Sequence, residues 1–400
     1  MHSSSTMRFQ GRLEPFKGCG ILGGLQGTIG IKGALPIIHG PVSCSAGYRM
    51  VPLFADREPL VPTTALTDPD LIMGSQKRLL HSLDKAWEIY RPTLITVITT
   101  CAVSISGEDF QAIAREFTQQ TGCPVLIIDG SGIAGEESHG YKSMYYEVRK
   151  LLESKDDAIL PEKVCLDGLS LTDFAVENMH HQISSLLKEN LGLSCGPSLF
   201  LDFDLTRDRV AYNQSRSLLL GHLWTEGHNW QPAPYGIAGT FVWLKWVCQE
   251  LGLALPQRAE GLYMAARRIL ARYDLLKITK NLRVAIEADG WLGIGLSRFF
   301  EQELSVPVML STDQAGYAYH KEDPFAHACY EDVGGSELFL FCEDFQANLV
   351  FGSSNVRSDQ WDYIPFTPPI WHGKEERHSF MGYEGAFELL DLLSRRLDHN

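Results

Sequence analysis

Short, mostly apolar segments recur along this chain, each followed by a Gly-rich or polar turn and then a helical pattern: Ala34–Ile38, Leu94–Thr99, Pro124–Ile128, Arg283–Ala288 and Pro307–Leu310. A strand that is apolar on both faces must be covered on both faces, which is the condition of a parallel sheet sandwiched by helices. The pattern therefore predicts an α/β fold with parallel sheets.

The segments fall into three blocks, read as three Rossmann-like domains around a central cleft. Residues 1–17 read as an N-terminal leader, with His2–Thr6 disordered. Residues 18–155 form the first α/β domain, with helical patterns at Gly74–Tyr90 and Glu108–Thr121, and the charged stretch Leu151–Lys163 marks its end. Residues 156–280 form the second, with helices at Thr172–Leu191 and Gly239–Leu251, the segment Pro197–Phe203, and a charged helical connector, Gln257–Lys280. Residues 281–400 form the third, with a helix at Gly290–Leu304, a further strand at Leu338–Phe341 and a terminal helix at Glu384–Leu397.

A chain of 400 residues with a formal charge of −14 is poorly suited to nucleic acid or anionic lipid, whose sequence-independent affinity comes from Lys and Arg. Its partners are expected to be proteins. No apolar run approaches the roughly 20 residues needed to cross a bilayer, and Met1–Phe9 lacks an apolar signal core, so a cytoplasmic protein with no membrane partner is expected. Nine scattered cysteines, an odd number, do not make a disulfide framework. In a reducing compartment they are core residues, nucleophiles or metal ligands.

Position sorts them. Cys19 lies in a Gly-rich entry segment, Cys44 follows the strand Ala34–Ile38 by way of His39-Gly40-Pro41, and Cys101 comes directly after Leu94–Thr99. In an open parallel sheet, ligands bind beyond the carboxyl ends of the strands, where two of these thiols fall. Three thiolates suit an iron–sulfur cluster. Glycines crowd them (Gly18, Gly20, Gly23, Gly24, Gly40, Gly47, Gly107), and small residues let backbone N–H groups approach a bulky anionic group. A complete cubane takes about four protein ligands, so the missing ones would come from another chain. The competing reading is that these are small core hydrophobes, as free cysteines often are. It is preferred for Cys123, Cys165, Cys195, Cys248, Cys329 and Cys342. Dispersed thiols without paired His spacing do not resemble a closed zinc site.

The motifs Gly18-Cys19-Gly20, His39-Gly40-Pro41-Val42-Ser43-Cys44 and Thr99-Thr100-Cys101 with Ser106-Gly107-Glu108-Asp109 resemble the three cysteine motifs of the nitrogenase component 1 family. Gly130–Tyr141, Pro234–Thr240 and Phe380–Ala386 resemble the loop after its third strand, its mid-chain Gly-Ile turn and its C-terminal motif. The Met381–Ala386 ending and the cysteine spacing are similar to the β-type subunit. The resemblance implies an oxidoreductase subunit whose Cys19, Cys44 and Cys101 bind an iron–sulfur cluster, 8Fe P-cluster-like or 4Fe–4S. That cluster would be shared with an α-type subunit, in a heterotetramer served by an ATP-dependent iron–sulfur reductase. Ser131 and Glu136 are further candidates near it in that loop.

No match stands out for the Cys and His that bind the active-site cofactor in α-type subunits, so no catalytic residue is assigned. The short segment before Cys19 points away from dinitrogen, toward a nitrogenase-like reductase acting for example on methylthio-alkanes. Two alternatives are a scaffold subunit for metallocluster assembly and a tetrapyrrole reductase subunit.

Other features carry less. Gly18-x-Gly20-x-x-Gly23 has no strand before it, as a dinucleotide motif requires, and Gly290, Gly293 and Gly295 follow a strand without further support. There is no G-x-x-x-x-G-K-[ST] loop, so ATP would be hydrolysed by a partner. His180 and His181 read as helix-surface residues, His320, His327 and His372 lack metal spacing, and Trp224, Trp230, Trp243 and Trp246 read as core or interface aromatics.

Overall fold

The structure, a computed structural model, describes residues 18–46, 60–154, 157–223, 232–288, 290–312, 328–331, 335–367 and 377–397. It is a mixed α/β protein built on three parallel sheets, in which every pairing between named strands is parallel.

The first sheet follows the order α1 (Gly20–Ile29), β1 (Ala34–His39), α2 (Val42–Ala46), α3 (Asp68–Met73), α4 (Gln76–Tyr90), β2 (Leu94–Thr99), α5 (Cys101–Ser106), α6 (Gln111–Thr121), β3 (Val125–Asp129) and α7 (Glu137–Leu152). Its strand order is β1-β2-β3. The central strand β2 is buried at every position, as its uninterrupted apolar run requires. Pro36 sits on the edge strand β1, where its missing N–H costs no ladder bond. The helix expected from Gly74 begins at Gln76, because Gly74 adopts φ +102 and separates α3 from α4.

The second sheet, β5-β4-β6, belongs to β4 (Lys163–Asp167), α8 (Val176–Leu191), β5 (Ser194–Cys195), α9 (Arg209–Asn213) and β6 (Arg216–Leu219). It continues into α10 (Ile237–Glu250), α11 (Gln257–Leu270) and α12 (Leu275–Thr279). The expected connector Gln257–Lys280 is thus two helices. Asp274 caps the second, its carboxylate accepting from the Lys277 N–H at 3.1 Å. In the mid-chain motif, Gly236 takes φ +72 and the Glu303 carboxylate accepts from the first N–H groups of α10, those of Ile237, Ala238 and Gly239.

The third sheet, β11-β10-β7-β8-β9, is formed by β7 (Val284–Glu287), α13 (Gly290–Arg298), β8 (Val308–Thr312), β9 (Ala328–Glu331), α14 (Gly335–Phe345), β10 (Leu349–Gly352) and β11 (Asp362–Pro365), and the chain then enters α15 (Gly382–Leu397). The helix expected over Gly290–Leu304 changes to one π turn at Phe299–Glu303. Leu338–Phe341, expected as a strand, lies inside α14. Its apolar run is too short to separate the two periods, and the burial settles it: Leu338 and Cys342, four apart, face the core while Leu340 is exposed. One hydrophobic core runs continuously from the second sheet to the third, through Leu166, Ile183, Trp243, Ile286, Phe351 and Leu390.

Candidate functional site

The carboxyl ends of β1 and β2 bring two of the three motif cysteines together. Cys44 lies in α2, its N–H bonded to the Pro41 carbonyl at 3.1 Å, and Cys101 opens α5 directly after β2. The Thr100 N–H reaches the His39 carbonyl at 3.2 Å, tying the two strand ends. A Cβ on Gly40 would stand 2.3 Å from Thr100 Oγ1, so these turns meet only because Gly40 has no side chain.

Cys19 arrives from a different direction. It precedes α1 in extended conformation and makes an antiparallel bridge with Glu136, at the end of the loop that follows β3. That loop completes the arrangement. The Gly132 N–H donates to Cys101 Sγ at 3.2 Å, and a Cβ on Gly132 would stand 3.2 Å from Cys19 Cβ. Ser131 is buried and its hydroxyl oxygen accepts from the Ala134 N–H of its own turn, while the Glu136 side chain is exposed.

The three thiols are all partly exposed, whereas Cys123, Cys165, Cys248 and Cys342 are buried. Cys195 is partly buried against the core of the second and third sheets, and Cys329 lies on β9, its side chain outside the described ones. The Cys44 thiol is pushed up by burial, and next by the thiols of Cys101 and Cys19. The three groups are therefore within electrostatic reach and would repel when ionised; a cationic metal centre reverses that sign and favours the thiolates. Among the described residues no three His, Cys, Asp or Glu side chains close around a single metal ion. A donor set of three thiols within electrostatic reach of one another, with a backbone N–H on one sulfur, fits an iron–sulfur cluster.

Sequence reading missed what braces these turns. His39 is fully buried, with Nδ1 3.1 Å from Thr64 Oγ1 and Nε2 3.0 Å from Ser75 Oγ, and it meets Phe110 edge-on. Ser75 in turn donates its N–H and hydroxyl to Glu108, which links the end of β1 to the turn after α5. Burial holds His39 down at about 4, against a weaker upward pull from Glu108. A native pKa below the unfolded value of 6.5 gives stability that is complete above 6.5 and is lost as the pH falls toward 4. The loss at pH 4 is about 3 kcal/mol. Denaturation of His39→Gln beside the wild type across that range is expected to show a flatter profile in the variant; parallel profiles would remove His39 as the cause.

The glycines act differently from expectation. Gly20 and Gly23 press against the protein's own backbone: a Cβ added at Gly20 would stand 3.1 Å from Gly130, and one at Gly23 would stand 1.9 Å from the Glu137 carbonyl oxygen. Gly107 has open space and is required instead by its φ of +68 at the end of α5. Gly293 and Gly295 also pack internally, against Leu310 and against Ala233 and Tyr235. At the crevice between β7 and β10, where the strand order reverses, Glu287 already accepts the Ser353 N–H and hydroxyl, both at 2.8 Å. His180 is half-buried and His181 exposed; Trp243 is core and Trp246 packs against it. Trp224, Trp230, His320, His327 and His372 lie outside the described residues, as does the leader 1–17.

No helix among the described residues is long and apolar enough to cross a membrane. The elements around the thiols carry exposed apolar side chains: Val42 on α2, Ile105 on α5 (75% exposed) and Ile133 in the loop after β3 (67%). On α3, which packs against α5, Ile72 and Met73 are exposed as well. Exposed apolar groups are thus concentrated at this edge of the molecule.

The chain is 31% identical to the nitrogenase molybdenum-iron protein beta chain of Rippkaea orientalis (strain PCC 8801 / RF-1), over 95% of this chain and 82% of that one. It is 24% identical to the nitrogenase iron-molybdenum cofactor biosynthesis protein NifE of Klebsiella pneumoniae, over 95% and 89%. A solved structure described as nitrogenase Cp1 at pH 6.5 superposes with a TM-score of 0.72, at 14% identity, over 96% of this chain and 93% of that one, and so shares its fold. A family model described as nitrogenase component 1 type oxidoreductase matches residues 19–398. The chain belongs to the nitrogenase component 1 type oxidoreductase family.

Proposed function

We propose that this chain is the β-type subunit of a nitrogenase-like two-component reductase and holds an iron–sulfur cluster on Cys19, Cys44 and Cys101. The observation that carries the reading is the meeting of three partly exposed thiols, drawn from three separate turns, on a surface rimmed by Val42, Ile105 and Ile133. Three thiols fall short of the roughly four protein ligands of a cubane, and the apolar rim suits a second chain that supplies the rest. That chain would be an α-type subunit of the same family, in a heterotetramer, with an ATP-dependent iron–sulfur reductase as electron donor. The cluster supplies one-electron storage and transfer. This chain's residues hold it, with Gly132 N–H on the Cys101 sulfur lowering its negative charge. The division into domains at 18–155, 156–280 and 281–400 belongs to the same reading, as does a cytoplasmic location that keeps the thiols reduced.

The partner surface has its own test. Ile105→Asp with Ile133→Asp is expected to weaken association with the α-type partner at least tenfold, measured by sedimentation of the anaerobic mixture, because two charges are placed in a desolvated contact. Unchanged association would put the partner elsewhere.

The likeness to a cofactor biosynthesis protein favours a second reading, a scaffold that carries a maturing metallocluster. The purified complex is mixed anaerobically with ATP, a family reductase and a small reducible substrate, and in parallel with an apoprotein acceptor. Substrate turnover with iron retained supports the reductase subunit; transfer of iron to the acceptor without turnover overturns it in favour of the scaffold.

A further inference from the structure

A groove opens between α8, α11 and α15, away from the cysteines, with about 680 Å³ of space continuous with solvent. Its walls are apolar, from Leu186, Leu262, Ile269, Met381 and Phe387, and its polar groups are Gln182, Ser185, Glu189, Asn190, Tyr383 and Glu384. Among the described residues no Lys or Arg lines it.

Asn190 is the informative residue. It is 2% exposed, and its side-chain amide donates to the Leu186 carbonyl at 2.9 Å, which fixes the amide orientation because a carbonyl can only accept. Its Oδ1 is left buried without a partner while the residue lines the groove. The half-buried Tyr383 likewise has no partner for its hydroxyl. A buried amide oxygen without a donor is uncommon in a folded protein and points to a donor that arrives from outside.

The donor's charge follows from three observations. The groove contains acceptors and two exposed carboxylates, Glu189 and Glu384, with no cationic side chain among the described residues. Asn190 lies in the last turn of α8, a sixteen-residue helix whose carboxyl end favours positive charge. At the opposing amino end of α15, the Met381 N–H is bonded to Gln182 Oε1 at 2.9 Å and the Gly382 N–H to the Pro234 carbonyl at 2.6 Å, so neither is left to bind an anion.

We propose that this groove binds an organic amine in its ammonium form, with the head donating to Asn190 Oδ1 between the Glu189 and Glu384 carboxylates and an apolar stem along Leu186, Leu262, Ile269 and Phe387. The groove shares no residue with the cysteine site, so the two readings fail independently.

The test compares three probes of one shape, 4-phenylbutylamine, 4-phenylbutanol and 4-phenylbutyrate, by calorimetric titration of the full chain at pH 7. Saturable binding of the amine at least tenfold tighter than either analogue, weakened at least tenfold by Asn190→Leu and several-fold by Glu384→Gln, is expected. The Glu384→Gln change is on the surface and guards against a variant that misfolds. Binding of the carboxylate as tight as the amine, amine binding unchanged in both variants, or no saturable binding of any probe overturns the proposal.

Discussion

Gly140→Ala is expected to destabilise the protein by at least about 3 kcal/mol in denaturant unfolding. An added Cβ would lie 1.8 Å from the Gly20 carbonyl oxygen and 2.6 Å from its carbonyl carbon, in backbone that cannot step aside as a side-chain tip would. Gly23, on the facing helix, makes the reciprocal contact at 1.9 Å with Glu137. Helices α1 and α7 therefore cross backbone to backbone, and any Cβ at the crossing must push them apart. Because both glycines serve one contact, Gly23→Ala with Gly140→Ala is expected to cost less than the sum of the two. Separation also moves Cys19, just before α1, relative to Gly132 on the loop leading to α7 and to the Cys101 sulfur that Gly132 contacts, so the same variant should lose iron. Gly261→Ala is the contrast: this exposed glycine of α11 has open space and no positive φ, and alanine there should stabilise by about 0.5–1 kcal/mol. Equal effects at Gly140 and Gly261 would contradict the packing account.

The second large effect is expected at Asp167, a fully buried carboxylate at the end of β4. Its Oδ2 accepts from Tyr212 OH at 2.7 Å, from Ser217 Oγ and from Tyr145 OH at 3.3 Å, and its Oδ1 accepts from the Leu199 N–H at 3.1 Å. Arg149 reaches the same cluster through Tyr145 OH at 3.0 Å and Ser217 Oγ at 3.3 Å. The cluster joins α7 of the first sheet's layer to β4, β6 and α9 of the second. Asp167→Ala takes the acceptor from the buried Tyr145 and Tyr212 hydroxyls and the buried Leu199 N–H and should cost about 3–5 kcal/mol. Asp167→Asn keeps the shape and should cost less. Burial raises the Asp167 carboxyl, opposed by its Ser217 and Tyr212 hydrogen bonds, and burial and then the Asp167 charge push Tyr145 up to about 12. A raised carboxyl contributes stability that is present below the unfolded value near 4 and is lost as the pH rises through the native value. The wild type should therefore lose ground to the Asn variant as the pH rises. Unfolding curves of both variants across pH 4–8 decide this, and a loss below 1 kcal/mol for the Ala variant would reject the cluster as an interlayer tie.

How much of this was legible depended on the range of the interactions. The run Leu94–Thr99 announces a central parallel strand because its own residues carry the signal, and β2 is buried throughout. Cys44 and Cys101 are likewise placed by local order, directly beyond strand ends. Glu108 was visible only as part of a motif, since its partner Ser75 lies 33 residues away, and the Asp167 cluster draws on residues 22, 45 and 50 positions distant. Pairings of that kind leave no local pattern. Leu338–Phe341 was misread because four apolar residues fit either period. The glycines near Cys19 were read as making room for a ligand, yet Gly20 and Gly23 make room for Gly130 and α7; composition records that space is needed and not what fills it.

The most direct test of the central claim is iron and acid-labile sulfide in anaerobically purified protein with its co-purifying partner, for the wild type, Cys44→Ala and Cys101→Ala, with EPR of each reduced sample. The account predicts iron, sulfide and an EPR signal in the wild type and their loss in both variants. Wild-type protein free of iron, or variants that keep the same iron and signal, would contradict it and return Cys19, Cys44 and Cys101 to a purely structural role.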